Sequence, residues 1–418
     1  AAAVAAVGIA YAMDERFFEK AKDKLTVFKC RANSKIMEQA LPLTDAMFPG
    51  PKVVSGADSA KKIPEVLKEL NVNKVMIVTG PTVGRTIVPP IAENLERHGI
   101  GYTIYDQVEA NPSVKTVEAI RAQYLENGCD GFLAIGGGSP MDAAKAAAAR
   151  VAKPNTPIGK MAGLMKVMIK VAPIVAVPTT SGTGSEVTMG AVISDHDERH
   201  KYAIMDPNLV PKYAVLDPKL TVSMPKFVTA TTGIDALTHA VESYVTWAYN
   251  NNASNRNAEE AVVKIFRNLK RAYEDGNDLE AREAMLIASY KAGLAFNHTG
   301  VGYVHAIAHA MGGIYNTAHG LANAVIMPIV LEDYGTAVHP QLAQTTGSDA
   351  EKANAFIAAI RQMNREMGLP TGFDFIEQKD FPQIIKWALA EGNGTYPVPV
   401  IYNEARMRHV LNRIVLEA

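Results

Sequence analysis

From about residue 52 to residue 216 the chain alternates short apolar runs with amphipathic stretches. KVVSG reads as a short strand, and SAKKIPEVLKEL after it as an amphipathic helix. In VNKVMIVTG, Val75, Met76, Ile77 and Val78 follow one another without polar interruption, as in a parallel strand buried on both faces. TIVPPIAENLERHG reads as a helix, with its proline pair in the early part and Gly99 past its end. GYTIYD is a strand, SVKTVEAIRAQYLENG a helix, and DGFLAIGGGS a strand entering a glycine turn. PIVAVPTT, MGAVIS, KYAIM and KYAVLD add more short strands. This alternation predicts an α/β domain with a doubly wound, mostly parallel sheet.

After about residue 222 strand-like runs vanish. Long amphipathic helices are predicted at 225–249, 255–273, 280–296, 303–312 and 320–334, with more to the end. LDPKLTVSMP, with two prolines and a serine, marks the linker. The expected organisation is an N-terminal helical arm (1–48), an α/β domain (49–222) and an all-α domain (223–418). The opening stretch, AAAVAAVGIAYAMDERFF, holds too short an apolar run to span a bilayer, and no basic residue precedes it as in a signal peptide. It reads as a helical arm packed on the body or on another subunit, and the missing initiator Met suggests a trimmed or partial start.

Composition narrows the function. At 418 residues the chain exceeds one ordinary core, so two domains are the default. A formal charge of -1, with no run of Lys or Arg, argues against nucleic acid and acidic membrane surfaces as partners. Cys30 and Cys129 cannot build a disulfide framework, so a reducing cytoplasm is expected.

The chemistry concentrates in the helical half. Asp235 and His239 are four residues apart, as are His305 and His309, so each pair projects from one helix face; His319 follows. A single histidine on an apolar face is usually a core residue bonded to a carbonyl. Four imidazoles and a carboxylate together point instead to a divalent metal. The set is too hard for copper(I) and too nitrogen-rich for magnesium or calcium, which leaves iron(II) or zinc. Spacing does not separate His309 from His305.

Two glycine-rich turns follow buried strands. In FLAIGGGSPMDAAK, Ser139 is expected to cap the helix, with Pro140 in its first turn. Gly136, Gly137 and Gly138 would let an anionic group, naturally a pyrophosphate, approach the helix N-terminus. The motif is not GxGxxG, and a plain tight turn is the alternative. PTTSGTGSEVT offers the hydroxyls of Thr179, Thr180, Ser181 and Thr183 at a neighbouring strand end, the edge where open α/β sheets bind ligands. A carboxylate that would hold an adenosine ribose is missing after VNKVMIV, where the chain reads Thr79-Gly80. Such a carboxylate would repel a 2′-phosphate by roughly 4 kcal/mol at 4 Å with an effective dielectric near 20. Its absence, with Arg85 nearby, predicts that NADPH is accepted.

GGGSPMDAAK, PTTSGTGSEVT, GIDALTHAVESY and VHAIAHAMGGIYNTAHGLANA together resemble the iron-dependent (group III) alcohol dehydrogenases, including the alcohol dehydrogenase half of bifunctional aldehyde–alcohol dehydrogenases. The resemblance spans roughly residues 50–418. It implies a dehydroquinate-synthase-like fold, with a dinucleotide-binding α/β domain, an all-α metal-binding domain and the active site in the cleft between. It also implies a metal-dependent alcohol dehydrogenase or aldehyde reductase, passing hydride between NAD(H) or NADP(H) and a small primary alcohol or aldehyde. By motif position, Fe2+ (Zn2+ as the alternative) would be held by Asp235, His239, His305 and His319, with His309 the catalytic residue beside substrate or nicotinamide. Gly80, Gly136, Gly137, Gly138, Ser139, Asp142, Thr179, Thr180 and Thr183 would contact the cofactor, with Lys201 and Leu216 near it. Gly190 and Phe296 would line the substrate pocket. The family habit implies a homodimer or larger homo-oligomer. Two departures stand out: Gly80 replaces an aspartate that many members carry, and residues 1–48 have no clear counterpart in shorter members. Two other activities share this frame, an NAD- and metal-dependent lyase of the dehydroquinate-synthase type and a hydroxyacid–oxoacid transhydrogenase.

Overall fold

The computed structural model describes residues 23–32, 34–35, 50–195, 200–346 and 350–416. Most of the opening arm, residues 1–22, lies outside them; 23–32 form a helix. The α/β part runs β1 (Lys52–Ser55), α1 (Ile63–Glu69), β2 (Lys74–Val78), α2 (Pro81–Thr86), α3 (Val88–Arg97), β3 (Gly101–Tyr105), α4 (Val114–Glu126), β4 (Gly131–Gly136), α5 (Gly138–Ala152), β5 (Gly163–Leu164), β6 (Ile174–Pro178), β7 (Gly190–Asp195), β8 (His200–Met205) and β9 (Tyr213–Leu216). Six strands form one sheet in the order β1-β9-β6-β4-β2-β3, and every pairing is parallel.

The two-residue period of a strand sorts the sheet's side chains onto two faces. Met76, Val78, Phe132 and Ala134 pack on the face covered by α4 and α5. Val75, Ile77, Leu133 and Ile135 pack under α1 and α3. Along α5 the alanines 143, 144 and 146–149 are fully buried, so this helix lies close against the sheet. With all six strands parallel, their carboxyl ends gather at one edge, which places the turns after β2, β4 and β6 side by side.

The structure refines one expectation and corrects another. MGAVIS and KYAIM do not join the main sheet. They form β7 and β8, an antiparallel pair extended by β5. Asp142 on α5 accepts the Val192 N–H at 3.0 Å and so ties β7 to that helix. Ser139 is not the helix cap. Helix α5 already begins at Gly138, its N-cap Gly137 makes no side-chain capping bond, and the Ser139 hydroxyl instead accepts the Asn111 N–H at 3.3 Å.

The C-terminal part is helical throughout: α6 (Lys226–Val245), α7 (Asn252–Glu274), α8 (Leu279–Thr299), α9 (Tyr303–Tyr315), α10 (His319–Tyr334), α11 (His339–Thr346), α12 (Ala350–Glu366), α13 (Phe381–Thr395) and α14 (Glu404–Ile414). One continuous apolar cluster joins them. Helix α6 is buried along most of its length. A Cβ at Gly233 would overlap the Leu269 side chain, and one at Gly320 would overlap the Thr231 carbonyl, so glycine lets α7 and the start of α10 close onto α6. Among the described residues no helix is long and apolar enough to cross a membrane.

Candidate metal and cofactor site

Helices α6, α9 and α10 converge on one buried point. Asp235 of α6, His305 of α9 and His319 of α10 bring ligand atoms within 4.8 Å of one another. His239, one turn after Asp235, lies beside this trio without joining it. Its ring stacks on His305 at 4.4 Å and on Phe296 at 4.1 Å, and its Nδ1 is buried without a hydrogen-bond partner. The close approach at Gly320 sets His319 3.4 Å from the Asp235 carboxylate.

The electrostatics favour a cation. Asp235 is 3% exposed, and among the described residues its partners are His305, His319 and the Asn323 amide, with no Lys or Arg. A buried carboxylate in such surroundings is costly unless a positive charge joins it. The imidazoles do not bring that charge themselves. Burial, reinforced by neighbouring histidines, holds His305 well below its ordinary range. Burial also brings His319 down to about 4, against the pull of Asp235, and lowers His239. Three neutral rings keep lone pairs free, the form a metal needs. The residues present therefore fit a divalent ion.

Supporting bonds orient the donors. Glu242, one turn beyond His239 on α6, accepts the Val304 N–H at 2.7 Å and shares a hydrogen bond with His305 Nδ1 at 2.5 Å. A Cβ at Gly302 would stand 2.7 Å from Glu242, so glycine there admits the carboxylate. Asn323, fully buried one turn after His319, donates to Asp235 at 2.8 Å. A carboxylate behind a metal-binding histidine fixes its tautomer and ring orientation.

His309 is set apart from His305. It bonds through Nδ1 to Glu391 of α13 at 2.7 Å. Burial would lower it, but the charge and hydrogen bond of Glu391 outweigh that and raise it. Tyr396 donates to the same Glu391 oxygen at 2.5 Å. The Lys201 ammonium approaches from β8; it lies 3.1 Å from where a Cβ of Gly312 would stand, one turn beyond His309.

The two glycine turns touch. A Cβ on Gly137 would meet the Thr180 hydroxyl at 3.2 Å, and one on Gly138 the Thr183 methyl at 3.0 Å. Thr179 N donates to Gly136 O at 2.8 Å. Gly80, at the neighbouring strand end, precedes α2, and Asp106 after β3 lies against Gly84. The uncapped start of α5 thus sits between two loops at the carboxyl edge, and Ser181 Oγ and Thr79 Oγ1 are buried there without partners. Backbone N–H groups and hydroxyls so disposed fit a pyrophosphate.

Asp142 turns inward. Its two oxygens take the Ser185 hydroxyl at 2.8 Å and the Val192 N–H, so it fixes the loop. Lys145, fully buried, donates to Ser185, Thr188 and the Gly190 carbonyl. Leu216 is buried with Ala214, Leu286 and Tyr290 at the end of β9. Space around the Gly190 α-carbon is open.

Glu186, in the same loop, is 1% exposed with Oε1 unpartnered, and burial raises it to about 7. A carboxyl raised above its unfolded value binds its proton more readily in the folded protein, so stability falls as pH rises from about 4.5 towards 7. Glu186→Gln is expected to leave the midpoint of thermal unfolding unchanged at low pH and to raise stability by roughly 1–3 kcal/mol above neutrality. Calorimetry across that range checks it.

Comparison with known proteins agrees with this geometry. The model described as "Iron-containing alcohol dehydrogenase" matches residues 50–218, and "Fe-containing alcohol dehydrogenase family, C-terminal" matches residues 229–415. Lactaldehyde reductase of Escherichia coli K12 is 32% identical over 80% of this chain and 90% of its own length. NAD-dependent methanol dehydrogenase of Bacillus methanolicus is 35% identical over 79% and 89%. A crystal structure of 1,3-propanediol oxidoreductase superposes with a TM-score of 0.83 at 32% identity, covering 88% of this chain and 99% of that one. Alcohol dehydrogenase from Oenococcus oeni superposes equally well at 30% identity, with the same coverage. The chain belongs to the iron-containing alcohol dehydrogenase family and is an alcohol–aldehyde oxidoreductase.

Proposed function

We propose that the helical part, residues 223–418, holds Fe2+, with Zn2+ as the alternative, on Asp235, His239, His305 and His319. The α/β part, residues 49–222, binds the dinucleotide at the sheet's carboxyl edge. The observation that carries the metal reading is the buried Asp235 carboxylate among neutral imidazoles, without a Lys or Arg partner among the described residues. A divalent ion bound there supplies Lewis-acid polarisation of the substrate oxygen.

This chain's residues supply the rest. Gly136, Gly137, Gly138 and Ser139 present the α5 N-terminus to the pyrophosphate, flanked by Thr179, Thr180 and Thr183. Asp142 holds the second loop in place. Lys201 and Leu216 would lie near the cofactor. Phe296 and the open space at Gly190 bound a pocket for a small primary alcohol or aldehyde. These groups would set the nicotinamide beside the carbinol carbon, in the orientation that hydride transfer needs. His309 holds its Nδ1 proton against Glu391, which leaves Nε2 to exchange a proton between substrate and solvent. A cytoplasmic homodimer or larger homo-oligomer fits the family.

Cofactor preference is read from Gly80, which carries no carboxylate to repel a 2′-phosphate, so NADPH is used alongside NADH or in preference to it. Gly80→Asp is expected to cut kcat/KM for NADPH by about tenfold or more while sparing NADH, because the new carboxylate repels the phosphate. Parallel rates with the two cofactors on one aldehyde check this.

The whole reading is tested on protein purified anaerobically, by elemental analysis together with aldehyde-dependent loss of NADH or NADPH absorbance. Net turnover of added cofactor supports the dehydrogenase. Cofactor recycled internally or never released would replace it with the lyase or the transhydrogenase.

A further inference from the structure

The helix at residues 23–32 precedes the family match, which begins at residue 50. It nonetheless grips the segment that supports His309. The Arg31 guanidinium donates to Pro399 O at 3.0 Å and lies 4.1 Å over the Trp247 ring. Cys30 donates through sulfur to Asn393 O at 2.9 Å, and Asn403 donates to Asp23 at 2.8 Å. From the other side, Trp247 N donates to Pro397 O at 3.1 Å. The chain from 393 to 403 is therefore clamped between the N-terminal helix and the end of α6.

What lies inside the clamp is the scaffold of the proton-handling histidine. Tyr396 donates to Glu391, and Glu391 bonds His309 Nδ1. Asn393 is tied through its side chain to Tyr303 at the start of α9 and to Tyr402 O at 3.0 Å, and Tyr402 N donates to Tyr303 at 2.8 Å. Contacts thus run unbroken from Arg31 and Cys30 through residues 393–403 to Tyr396, Glu391 and His309. A cation stacked on an indole while donating to a carbonyl is directional, so it fixes position as well as adding affinity.

We infer that residues 23–32 are a positioning brace, which keeps Tyr396 and Glu391 in register with His309. The inference rests on the reading of His309 given above. Arg31 touches neither substrate nor cofactor and acts through Pro399 and Trp247.

The test compares metal-loaded wild-type, Arg31→Ala and Arg31→Lys proteins in the full chain. It measures kcat, KM for the cofactor, bound metal and amide exchange at residues 393–403. Arg31→Ala is expected to speed exchange in that segment and lower kcat about tenfold, with cofactor KM and metal content unchanged, because a displaced catalytic group costs turnover first. Arg31→Lys, which keeps the cation and a donor, is expected to restore most of kcat. Faster exchange with unchanged kcat would overturn the brace, as would unchanged exchange. A parallel loss of metal, cofactor KM and kcat would overturn it too, since it would show a general loss of fold. A metal-loaded wild type with no alcohol-dependent nicotinamide reduction would instead overturn the functional reading itself.

Discussion

A His305→Ala protein is expected to purify without its metal and to lose at least about a thousandfold in kcat/KM, the scale of removing a principal electrostatic contribution to catalysis. His305 is 2% exposed at the convergence of α6, α9 and α10, with Asp235 and His319 as neighbours. Alanine removes a donor and opens a void next to a carboxylate that has no Lys or Arg partner among the described residues. Added metal should restore little activity, because it would have to bind on Asp235, His239 and His319 with the His305 donor gone from between them. Cofactor binding, 2′-phosphate included, should survive, since the glycine turns lie on other elements. Elemental analysis, steady-state rates and a nucleotide-binding titration on one preparation separate these outcomes. Full activity in the variant would end the metal mechanism.

Replacing Glu242 should weaken the site without touching a ligand. Glu242→Ala leaves the His305 Nδ1–H and the Val304 N–H without their acceptor in a buried place, so His305 loses its tautomer and orientation. Metal affinity is expected to fall about 10–100-fold. Glu242→Gln keeps the shape and one acceptor oxygen, so its loss should be smaller. Competition against a chelator of known affinity measures both. Equal affinity in all three proteins would show that the carboxylate does not orient the ligand.

Residues 75–78 were legible as a buried strand because a sheet covered on both faces leaves no polar position. MGAVIS and KYAIM were legible as strands, but their sheet was not, since a short apolar run looks the same in either one. Asp142 meets Val192 from another element, a contact no local pattern shows. Asp235 and His239 share a helix face by spacing alone. The same logic reaches Glu242, three residues beyond His239, and Asn323, four beyond His319, though a carboxylate on a helix is usually a solvated one. Glu391 was out of reach: it meets His309 from 82 residues away, and no local period pairs them. The Ser139 cap failed because glycine can itself start a helix, which freed the serine for Asn111. Arg31 and Cys30 gave no signal, for their hydrogen-bond partners lie more than three hundred residues on.

The most direct test is anomalous diffraction at the iron and zinc absorption edges, from crystals of active protein grown without oxygen. One strong peak is expected about 2.0–2.2 Å from the nearest donors of Asp235, His305 and His319, with the His239 ring turned to complete the set. Crystals of fully active protein with no peak among those four side chains would contradict the account.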